Sequence, residues 1–77
     1  MKNKTFTSNK LRFHRERAGL TQKDVAESLG LDCRDRISRW ENGVTMPSIT
    51  NLCRLAEIYK VIPQELYPEL TQNEQDQ

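Results

Sequence analysis

The sequence predicts an all-α domain of five short helices, and three observations carry that prediction. Apolar residues recur at helical spacing, as at Val25, Ala26 and Leu29 and again from Ile49 to Tyr59. Cap-forming residues stand before the early periodic stretches, with Ser8 or Asn9, then Thr21, then Asp32 or Cys33 in place. Glycines stand just past them at 19, 30 and 43, where a left-handed residue closes a helix.

Met1 to Thr7 has no periodicity and reads as a flexible N-terminal arm carrying Lys2 and Lys4. A first helix follows, running to about Ala18, with Leu11, His14, Arg15 and Ala18 on one face. His14 reads as a partly buried, hydrogen-bonded side chain. A second helix over Gln22 to Leu29 is capped by Thr21, with Asp24 placing negative charge in its first turn.

The third helix opens near Asp32 or Cys33 and stops at Asn42-Gly43. Cys33, Ile37 and Trp40 fall at i, i+4 and i+7, so they share one side. Asp35, Ser38, Arg39 and Asn42 take the opposite side, with Arg34 and Arg36 on the flanks. Two short helices joined by a glycine-bearing turn match the helix-turn-helix signature. Arginine can grip guanine O6 and N7, and a carboxylate can accept from cytosine N4. The alternative for such a face is a solvated mixture of charges.

Pro47 suits the first turn of a fourth helix, with Ser48 close by. Its apolar stripe is Ile49, Leu52, Cys53, Leu55, Ala56 and Tyr59. Pro63 opens a fifth helix that ends before Pro68, with Leu66 in the core. Residues 8–67 therefore form one domain, and residues 68–77 read as an acidic, polar, disordered tail.

Seventy-seven residues at 35% hydrophobic and 30% charged allow one small core and no deep active site. The net charge is +1, but its distribution is uneven. All 12 Lys and Arg lie in residues 1–60 against seven acids, whereas residues 61–77 hold four acids and no Lys or Arg. That division fits phosphate contact on one face of a basic body; an ordinary mixed surface is the alternative. No run could span a bilayer and no apolar signal core follows Met1, which predicts a cytoplasmic protein. No nucleophile–base pair, phosphate loop or metal cluster is evident, so neither enzyme activity nor a cofactor is expected. Cys33 and Cys53, both placed on core faces, should stay reduced, and two Cys with one His lack zinc-ligand spacing.

Arg15, Leu20, Thr21, Gln22, Val25, Ala26, Leu29, Gly30, Ile37, Ser38, Trp40, Glu41, Asn42, Gly43, Pro47 and Leu52 occur in an informative order. Together they resemble the Cro and phage-repressor (XRE) helix-turn-helix family from about residue 8 to residue 67. The resemblance implies a compact lambda-repressor-like domain that binds double-stranded DNA as a transcriptional regulator, a repressor above all. It further implies a homodimer on DNA, with the third helix in the major groove. Arg34, Asp35 and Arg39 match the family's base-contact positions, and Ser38 shares their face. Asp35 could instead hold Arg34 or Arg39 in place. Gln22, Asn42 and Thr45 match phosphate contacts, which Arg36 joins from the flank. Arg15 is expected to pair with Glu41, tying the first helix to the end of the third. The last helix of relatives often joins the dimer contact, a role open here to Tyr67 or Leu70.

One departure stands out. Gly30 and Ile37 are seven steps apart where the family has six, so the turn or the start of the third helix is longer by one residue. A second class of function, an antitoxin or adaptor holding a protein partner, uses the same fold.

Overall fold

The computed structural model describes residues 8–68. The predicted arm at 1–7 and all of the predicted tail but Pro68 lie outside that range. Five helices follow one another: α1 (Leu11–Arg17), α2 (Gln22–Ser28), α3 (Asp35–Glu41), α4 (Ile49–Tyr59) and α5 (Pro63–Leu66). Among the described residues there is no strand.

Each helix contributes one buried stripe to a single core. Leu11 comes from α1, Val25 and Ala26 from α2, Ile37 and Trp40 from α3, Leu55, Ala56 and Tyr59 from α4, and Leu66 from α5. Leu29 and Tyr67 complete it. The ends of the domain are joined where the Lys10 N–H donates to the Leu66 carbonyl at 2.9 Å, so α5 closes over the start of α1.

Thr21 caps α2 in a reciprocal box: its hydroxyl accepts from the Asp24 N–H at 3.0 Å, and its own N–H donates to the Asp24 carboxylate at 3.0 Å. The Thr21 backbone N–H, and then its hydroxyl, hold the Asp24 carboxyl below its ordinary value. A carboxylate with a lowered folded-state value stabilises fully above the ordinary aspartate range and loses that contribution as pH falls through the lowered value. Asp24→Asn should therefore lower the thermal midpoint near neutral pH. The gap to the parent protein should close on acidification, as a pH series of melting curves would record.

One closure ends each of the first four helices. The N–H groups of Leu20, Leu31, Val44 and Val61 donate to the carbonyls of Arg15, Ala26, Arg39 and Ala56 at 2.9–3.2 Å. The residue before each donor must be left-handed, and Gly30 and Gly43 meet that demand without strain at φ 75° and 79°. At the end of α4 the position is Lys60, at φ 61°. A Cβ there is crowded against the following carbonyl oxygen. Lys60→Gly is expected to raise stability by about 0.5–1 kcal/mol, read as a higher urea midpoint at unchanged m-value.

Several sequence expectations need correction. α3 begins at Asp35, with Arg34 as its N-cap and no side-chain cap bond, rather than near Asp32 or Cys33. The additional residue thus lengthens the connection from α2. Cys33 precedes the helix, so helical phase does not apply to it, and it is exposed. Cys53 is exposed too, because it lies about 110° around α4 from the centre of the stripe set by Leu52, Leu55, Ala56 and Tyr59. Ile49, at the first turn of α4, is 80% exposed and is not part of the core. Ser48, not a residue in the helix, caps α4 by accepting from the Asn51 N–H at 3.2 Å, which leaves Pro47 before the cap. The ring of His14 is buried edge-on to Phe13 at 5.0 Å. Tyr67 falls outside α5 and is buried in the core, its hydroxyl pushed up to about 12 by burial, so it is not on the surface for a dimer contact. Leu70 lies outside the described residues.

Candidate nucleic-acid interface

The outward face of α3 starts from what anchors its inward face. Ile37 and Trp40 are buried against α1 and α2, which fixes the helix about its own axis. Arg34, Asp35, Arg36, Arg39 and Asn42 are then exposed, Ser38 is half-buried, and Thr45 is exposed just beyond the helix. Among the described residues the guanidinium groups of Arg34, Arg36 and Arg39 make no ion pair, whereas Arg12 is bound to Glu16 at 3.0 Å. Three cations, Arg36 and Arg39 within α3 and Arg34 at its N-cap, are thus left for an external anion or acceptor. The Asn42 side-chain amide donates to the Ser38 hydroxyl at 3.4 Å, a long contact that links the two neighbours.

Beneath the far end of α3 lies a buried polar clamp. Glu41 presents both carboxylate oxygens to Arg15: Nε donates to Oε2, and Nη2 to Oε1 at 3.3 Å. The Arg15 Nη1 donates to the Leu20 carbonyl at 2.8 Å, and Gln22 Nε2 donates to Glu41 Oε1 at 3.0 Å. The two charged side chains are only 10% and 4% exposed. Hydrogen bonding to Glu41 raises the Arg15 value despite its burial, so the guanidinium stays charged. Tyr59 packs beside the pair, and burial, with the Glu41 charge second, drives its hydroxyl well above the ordinary range. Three elements, α1, the start of α2 and the end of α3, are thereby fixed to one carboxylate.

Asn9, which the sequence offered only as a cap for the first helix, also supplies a second tie, to α3. Its Oδ1 accepts from the Leu11 N–H, and its Nδ2 donates to the Trp40 carbonyl, both at 3.0 Å. The signal available was its amide, which can cap one helix and still donate elsewhere. Gln22, expected on phosphate, spends one N–H on Glu41; the amide orientation is unambiguous because a carboxylate only accepts.

Along the Arg36 and Arg39 side of α3 runs an open hollow of about 750 Å³. The connection from α2, the loop after Gly43 and the start of α4 form its other walls, with Leu31, Asp32, Thr45, Met46 and Asn51 among the lining residues. Residues of the lengthened connection and the exposed Met46 line it, and no periodicity in the sequence marks either.

The helix-turn-helix family model matches residues 11–66, most of the chain. The chain belongs to the XRE-type helix-turn-helix family. Among solved structures it is similar to a presumed DNA-binding protein from Bacteroides fragilis, at 29% identity and a TM-score of 0.69, covering 75% of this chain and 92% of that one. A comparison with curated protein sequences gives no significant match. Within this helix-turn-helix domain α2 and α3 are the paired helices, and α3 occupies the recognition position. Among the described residues no helix is long and apolar enough to cross a membrane.

Proposed function

We propose that this helix-turn-helix protein is a sequence-specific double-stranded DNA-binding regulator, acting as a repressor on an inverted-repeat operator as a homodimer. The observation that carries the reading is the exposed side of α3: Arg39 with Arg36 on its flank and Arg34 at the N-cap, all exposed and without ion pairs among the described residues, while Ile37 and Trp40 lock the opposite side into the core. α3 enters the major groove, where Arg34, Asp35, Ser38 and Arg39 meet base edges. Gln22, Arg36, Asn42 and Thr45 meet phosphates on the strands alongside. The similarity to a presumed DNA-binding protein over 92% of that protein's length supports the same reading. A module of this size reaches few base pairs, so specificity calls for two copies on half-sites about 34 Å apart. The helix-turn-helix family and the presumed DNA-binding neighbour support a non-enzymatic regulator.

Selection of duplexes from a random library at about 0.15 M salt tests the proposal, because surface attraction is then screened beyond about 8 Å. The expected result is an enriched inverted repeat whose half-site spacing reports the dimer, with affinity falling steeply as salt rises. Failure to enrich any sequence would overturn it. The antitoxin or adaptor reading is favoured by one observation, the exposure of Val44 just after α3 and of Ile49 at the start of α4. A stable complex with a second protein, formed without DNA, would be its signature.

A further inference from the structure

The hollow beside α3 has a lining that discriminates between possible occupants. Its charged residues are Asp32, Asp35, Arg36 and Arg39, two of each sign, so it carries no net charge. A cradle for phosphate would be cationic; two carboxylates in the wall disfavour an anion. What remains is a set of acceptors, donors and apolar surface, the mixture that base-pair edges present in the major groove. Its apolar part includes Leu31, half-buried in the lengthened connection, and Met46, which is 46% exposed. The loop from Asn42 to Pro47 holds no Lys or Arg, so Met46 stands where a phosphate contact would gain nothing from it.

We infer that this hollow receives the 5-methyl group of a thymine, seated against Met46 and Leu31, while Arg36 and Arg39 reach past it. The inference rests on the proposed DNA reading and deepens it by naming a base. The methyl group is the one apolar feature of the major-groove edge. A thioether side chain with three rotatable bonds adapts its shape to such a group. Reading by Met46 is then additional to reading by α3 and selects thymine over cytosine and uracil at one position of each half-site.

The test uses the full chain and the selected duplex, with each thymine replaced in turn by uracil, a change that removes only the methyl. At one position the replacement should weaken binding by about fourfold, the effect of one buried methyl group. Met46→Ala should bind the thymine and uracil duplexes equally, while Met46→Leu, which keeps apolar bulk, should retain the preference. Melting curves of both variants confirm that the loop substitution leaves the domain folded. Uniform tolerance of uracil, or a preference that survives Met46→Ala, would overturn the inference while leaving DNA binding in place. Absence of any selected duplex would remove both together.

Discussion

Arg15→Ala is expected to destabilise the domain by about 3–5 kcal/mol, because it strands the Glu41 carboxylate in the protein interior. The Glu41 side chain is 4% exposed, and its remaining partner would be a single neutral amide from Gln22. For a domain of this length each kcal/mol moves the thermal midpoint by roughly 4–8 °C, so the loss should exceed about 10 °C. A near-normal midpoint would show that the carboxylate finds water or takes up a proton, and that the pair does not hold the helices. The double replacement Arg15→Met with Glu41→Leu separates stability from geometry. Removing both charges avoids the stranded ion, and well-packed apolar substitutes for buried pairs are often neutral or better. A double variant that melts normally but no longer selects a duplex would assign the clamp to fixing the angle of α3, not to stability.

The clamp also shows why some of the molecule was legible from sequence and some was not. Helix stops were readable because a left-handed backbone selects glycine, and three of the four such closures have one. Lys60, the fourth, carries no such mark, and the end of α4 had to be inferred from where the stripe fades. The core faces of α2 and the latter half of α3 followed from spacing. Cys33 was misplaced because an apolar residue three or four positions before a helix face continues the pattern on paper whether or not the backbone is helical. The seven-step spacing from Gly30 to Ile37 was visible, but only the structure assigns the added residue to the connection. Cys53 shows the complementary limit: on a helix, a residue adjacent to a stripe member can lie more than 90° away from the stripe's centre. The exposed character of Asp35, Arg36 and Arg39 could be read from phase, since none belongs to the apolar set. The bond from Gln22 to Glu41 and the tie from Asn9 to Trp40 could not, because they join residues 19 and 31 apart in the chain.

Arg39→Ala, by the proposed reading, should weaken binding to the selected duplex roughly 5- to 160-fold, the range for one bidentate arginine–guanine contact. Its side chain is exposed and makes no ion pair among the described residues, so the fold should be unaffected within about 0.5 kcal/mol. The loss should be confined to one base position. Repeating the selection with the variant should return the same inverted repeat with that position randomised. Arg36→Ala provides the contrast, because it is assigned to phosphate. It should weaken all duplexes alike and reduce the slope of log affinity against log salt by about one. Exchanged behaviour, with Arg36→Ala relaxing a base and Arg39→Ala changing only the salt slope, would mean that α3 is rotated about its axis in the groove relative to the assignment. Arg36 also lines the hollow with Met46, so such a rotation would turn that hollow further toward the bases. The two arginine variants, measured at two or more salt concentrations, therefore fix the orientation of the recognition helix without a structure of the complex.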